Sequence, residues 1–103
     1  MAYSVHWLRR AEKDLDAIYL FYCQMASEHV AKKRLSMILD TTEIVGYMPN
    51  IGQLDENYNH TPTYRYITVL DYKIYYFAEE DIVNIAAIWD CRQGGRVFED
   101  NSY

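Results

Sequence analysis

Residues 64–92 read YRYITVLDYKIYYFAEEDIVNIAAIWDCR, and the rest of the chain is organised around them. Three runs rich in β-branched and aromatic residues are interrupted by Leu70-Asp71 and by Glu79-Glu80-Asp81. Residues 64–70 put Arg65, Ile67 and Val69 on one face of a strand and Tyr64, Tyr66 and Thr68 on the other. Residues 72–78 and 82–89 are apolar on both faces, as inner strands covered on two sides are. Connections this short join antiparallel neighbours only, so the stretch predicts a three-stranded meander. Arg65 enters its first strand and Arg92 leaves its last.

Working outward, Tyr3, Val5 and Trp7 alternate with Ser4 and His6, which predicts a short N-terminal strand. Leu8, Ala11, Leu15, Ile18, Tyr22 and Met25 follow at 3-4-3-4-3 spacing, one face of a helix. Residues 18–23 are apolar all round, which implies cover from a second helix or a partner as well as from the sheet. Ser27 is the expected N-cap of a second helix with Ala31, Leu35, Ile38, Thr42 and Val45 inward, ended by Gly46 and Pro49. Residues 49–63 hold both prolines and no periodicity, the signature of a long loop. After Arg92, Gly94-Gly95 breaks the pattern. The expected fold is α+β: strand, antiparallel helical hairpin and meander, with the helices on one face of the sheet. It forms one domain over residues 1–103.

Half of the chain is hydrophobic and 16% is aromatic, enough for one modest core. Eleven tyrosines suit a protein-binding groove as well as they suit the lining of a small sheet. Ten Lys+Arg against 15 Asp+Glu give a formal charge of −5, which argues against a grip on nucleic-acid phosphates. Neither a signal peptide nor an apolar run of 18 residues is present, so a cytoplasmic protein without a membrane span is expected. Three histidines in separate elements lack metal-ligand spacing, and no phosphate-cradling glycine loop occurs, so neither metal nor cofactor is expected. Cys23 and Cys91 read as buried, inert thiols. Lys32-Lys33-Arg34 reads as a solvated helix face.

Two guanidiniums on one rim of a sheet would clamp a phosphate or carboxylate; alternatively each pairs with a neighbouring acid. The first and third strands of an antiparallel meander run the same way, so seven residues separate Arg65 from Arg92 by about 20 Å. Arg65 is the stronger functional candidate, and Arg92 is expected to pair with an acid such as Asp90.

The order of elements, together with Ala11-x-x-Asp14-Leu15-x-x-Ile18-Tyr19, Pro49-x-x-Gly52, Tyr64-Arg65-Tyr66, Asp71-Tyr72-Lys73-Ile74-Tyr75-Tyr76 and Ile88-Trp89-Asp90-Cys91-Arg92-Gln93, resembles the RelE/ParE superfamily of toxins from type II toxin–antitoxin systems. The resemblance implies one of two activities: metal-free mRNA cleavage on the ribosome (RelE-like) or poisoning of DNA gyrase (ParE-like). Either implies an antitoxin partner whose C-terminal segment wraps the toxin. It also implies functional roles for Arg65 and Arg92. The lysines expected ahead of Arg65 are replaced by Gln53-Leu54-Asp55-Glu56, and Phe98 stands where a RelE-like enzyme has its tyrosine. Phenylalanine transfers no proton, and Tyr103 substitutes only if the tail folds back.

These departures favour a ParE-like toxin acting on a protein. The alternatives are a RelE-like ribosome-dependent mRNA interferase with a depleted active site, or an inactive descendant serving as a binding module. Roles in growth inhibition and plasmid stabilization come with the family. Tyr64, Tyr66 and Phe98 are the candidate antitoxin contacts, and self-association is expected to cover the same apolar surface when antitoxin is absent.

Overall fold

The computed structural model describes residues 2–56 and 62–93. The elements are β1 (Ser4–Trp7), α1 (Arg9–Met25), α2 (Glu28–Tyr47), β2 (Gln53–Leu54), β3 (Arg65–Val69), β4 (Tyr72–Glu79), β5 (Ile82–Asp90) and a 3-10 turn (Cys91–Gln93). The expected α+β architecture is present. The sheet runs β1-β5-β4-β3-β2, so β5, β4 and β3 are inner strands, β3 being covered by β2 only at Arg65 and Tyr66. The meander is antiparallel, with Arg65 opposite Tyr76 and Tyr72 opposite Asp90. β1 adds parallel to β5, Ser4 opposite Ile82 and Trp7 opposite Ile85.

Both helices pack on one face. Ala11, Ile18 and Tyr22 of α1 and Ala31, Ile38 and Val45 of α2 meet Tyr72, Ile74, Tyr76, Val83, Ile85 and Ile88. The other face carries a smaller cluster of Tyr64, Tyr75, Ala86 and Ala87, flanked by Leu8, Tyr66, Phe77 and Trp89. Apolar residues on both faces of the inner strands thus build two clusters. The register shifts between Tyr75 and Tyr76, which face Ala87 and Ile85, so Ala86 is an inserted residue.

Ser27 caps α2 as expected, its hydroxyl accepting from the Val30 N–H at 3.1 Å, worth about 1 kcal/mol. Leu8 gives α1 no side-chain cap, but its N–H donates to the Ile85 carbonyl at 2.9 Å, so β1 passes directly into the helix.

Three expectations are corrected. The loop over 49–63 contains the fifth strand, β2, with Gln53 opposite Tyr66 and Leu54 opposite Arg65. Gly46 does not stop α2, which runs to Tyr47. It is a packing glycine: a Cβ there would lie 2.9 Å from Val5 Cγ2, and its carbonyl accepts from the Tyr3 N–H at 2.8 Å. Cys91 is exposed, because the chain leaves the sheet there for the 3-10 turn; Cys23 is half-buried.

Candidate functional site

Arg65 lies on the helix-side face of β3 together with Ile67 and Val69, which pack against the main core. Its Nη1 donates to the Gly52 carbonyl at 2.8 Å and to the Asn50 carbonyl at 3.4 Å. The same turn is gripped from below by Tyr76, which is fully buried. The Tyr76 hydroxyl donates to the Pro49 carbonyl at 2.8 Å and accepts from the Gly52 N–H at 2.8 Å. A Cβ on Gly52 would fall 2.5 Å from that hydroxyl and 2.8 Å from the Tyr66 carbonyl, so the close approach requires glycine. Arg65 and Tyr76 therefore clasp residues 49–52 and set β2 against β3.

Arg92 stands just beyond the end of β5, in the 3-10 turn. Its Nε and Nη2 donate to the two carboxylate oxygens of Asp90, both at 3.0 Å, and Nη2 also reaches the Tyr72 hydroxyl at 3.2 Å. The guanidinium carbon lies 5.8 Å from the Phe21 ring centre and 5.7 Å from that of Tyr72. Hydrogen bonding from Arg92 holds Asp90 below its usual range. In the register, Arg65 is level with Tyr76 and Asp90 with Tyr72, so the two arginines do not share a rim.

A cleft of about 390 Å³ opens beside Arg92, between α1 and the part of β5 that β1 does not reach. Asp14 crosses it, accepting from the Ile88 N–H at 2.9 Å and from Arg10 Nε at 3.2 Å. Asp14 thereby satisfies a strand donor left without a neighbour where β1 turns into α1. Burial raises its pKa, against the lowering effects of Ile88 and Arg10.

Burial pushes Tyr75 up to about 12 and raises Tyr72 and Tyr76. Tyr64 is only 5% exposed and edge-on to Phe77 at 5.3 Å, so it is a core residue of the second face, not a surface contact. Tyr66 is half-buried, donates to Gln53 Oε1 at 2.6 Å and carries the Lys73 ammonium 4.7 Å from its ring centre. Phe98 and Tyr103 lie outside the described residues. Leu20, Phe21 and Met25, at the end of α1, are 58%, 43% and 71% exposed. The all-round apolar run over 18–23 signalled this surface, whereas the buried roles of Asp14 and Tyr76 had no comparable signal.

The family model of the ParE toxin of the type II toxin–antitoxin system parDE matches residues 5–94. The chain belongs to the ParE toxin family. It is thus the toxin component of a type II system, within the RelE/ParE superfamily. A solved chain of the chromosomal ParDE system from P. aeruginosa superposes with a TM-score of 0.73 at 23% identity, over 86% of this chain and 96% of that one. That likeness shows the fold. No curated protein matches. Among the described residues no helix is long and apolar enough to cross a membrane, and no three His, Cys, Asp or Glu side chains gather around a metal position.

Proposed function

We propose that this ParE-family toxin acts by binding a protein target, DNA gyrase being the one the family implies, and is neutralised by an antitoxin bound to its surface. One observation carries the reading: both candidate arginines have internal partners, and their partners lie at separate positions along the sheet. Arg65 is engaged by the carbonyls of Gly52 and Asn50, and Arg92 is chelated by Asp90. Cleaving a phosphodiester bond without metal needs cations and a proton-transfer group converging on one phosphate. The described residues bring no such set together.

The antitoxin surface in this reading is the exposed end of α1, Leu20 and Phe21, with the adjoining cleft bounded by Arg10, Asp14 and Arg92. An apolar patch beside guanidiniums suits a segment carrying large apolar side chains and carboxylates. Induced expression in a bacterial host, with and without a co-expressed cognate antitoxin, tests the proposal. Loss of supercoiling control with translation intact, reversed by the antitoxin, is expected. Arrest of translation with cut mRNA would overturn it.

A further inference from the structure

α2 turns its inner face to the core through Ala31, Ile38, Thr42 and Val45. At 100° per residue the opposite face is formed by Lys33, Met37, Asp40, Ile44 and Tyr47, whose 4-3-4-3 spacing is that of a helix-pairing seam. All five are exposed, and the three apolar ones are 41%, 46% and 67% accessible. Lys33 and Asp40 make no ion pair among the described residues, whereas the adjacent Lys32 takes Glu28 at 2.9 Å. Beyond Glu28 in the first turn, the charges run basic at 32–34 and acidic at Asp40 and Glu43.

We propose that this face is the interface between two copies of the chain, with α2 packed antiparallel on α2 about a two-fold axis at Met37. In that arrangement, residues whose numbers sum to about 73 face each other. Met37 meets Met37 of the second copy, and Lys33 meets Asp40 on both sides of it. Ile44 lies over Val30, which is half-buried against the core at the start of α2. A parallel pairing would set Lys33 against Lys33 and Asp40 against Asp40. Charge complementarity therefore selects both the occupant, a second copy, and the direction. Closed two-fold contacts of this kind are self-complementary by construction. The interface leaves the cleft beside Arg92 open, so it is independent of the surface assigned to the antitoxin.

Sedimentation of the full-length chain over about 1–300 µM tests the proposal, a range that spans weak to moderate dimer affinities. A concentration-dependent monomer–dimer equilibrium is expected. K33E and D40K each place like charges opposite one another twice, and each should weaken the dimer about tenfold or more. The double variant K33E/D40K restores opposite charges and should recover the dimer. Thermal melting at a concentration where the chain is monomeric should be unchanged in all three, since neither side chain has an ion-pair partner among the described residues. A wild-type chain monomeric throughout, single swaps without effect, or a double swap that fails to recover would each overturn the proposal.

Discussion

The two arginines are held by different means, one by the backbone of a turn and the other by a neighbouring carboxylate. Arg65 is bonded to backbone carbonyls of a turn that the buried Tyr76 grips from the other side. It fixes the path of the chain from α2 into β2. Arg92 is bonded to a carboxylate two residues away and rests on aromatic rings at the surface, its side chain 45% exposed. A guanidinium fastened to the backbone of a clasped turn is lost only with local unfolding. One chelated at the surface can exchange its acid for a partner's at little cost to the fold.

The largest effect is expected where the turn meets the core. Gly52→Ala forces a methyl group into the Tyr76 hydroxyl and the Tyr66 carbonyl, and should cost about 3 kcal/mol. Tyr76→Phe leaves the Gly52 N–H and the Pro49 carbonyl without their partner, at about 2 kcal/mol. Arg65→Ala should cost about 1 kcal/mol for its hydrogen bonds to the turn. Arg92→Ala should cost under about 1 kcal/mol, as exposed ion pairs do, while weakening antitoxin binding. Denaturant midpoints check the series, and titration with antitoxin checks the last variant. If Arg92→Ala unfolds the chain more readily than Arg65→Ala, the comparison is inverted.

The pH dependence gives the smallest effects, with opposite signs at two acids. Asp90, held below its ordinary 3.8 by Arg92, contributes stability that is present above pH 3.8 and lost as pH falls through its folded value. Asp14, raised above 3.8 chiefly by burial, binds its proton more tightly in the folded chain, so its ionisation costs stability as pH rises through its folded value. Asp90→Asn should therefore flatten the acid limb of stability. Asp14→Asn should lose less stability than the parent as pH rises from 3.8, while its amide oxygen still accepts from Ile88. Unfolding midpoints measured across pH read both.

Much of this fold was legible because its long elements carry strong periodicity. The inward stripe of α2 at Ala31, Ile38, Thr42 and Val45 (Leu35 is only half-buried), the Ser27 cap and the alternation of residues 64–69 correspond to what is built. The Arg92–Asp90 pair was legible too, since two residues on one short segment need no tertiary knowledge. What escaped depends on contacts between distant segments. β2 has two residues and no alternation to detect, and exists because β3 offers it a partner. Gly46 looks like a helix stop in sequence, but its role is set by Val5 and Tyr3, more than 40 residues away. The partners of Arg65 are carbonyls, which carry no side-chain signature. Tyr64 reads like its neighbour Tyr66, and only packing against Phe77 shows it to be buried.

The most direct test of a protein-binding toxin assays one purified sample for two activities side by side: inhibition of supercoiling by DNA gyrase, and cleavage of mRNA on programmed ribosomes. Inhibition of gyrase that the antitoxin relieves, with mRNA left intact, is the predicted result. Efficient ribosome-dependent cleavage that Arg65→Ala abolishes in a chain still folded would contradict it.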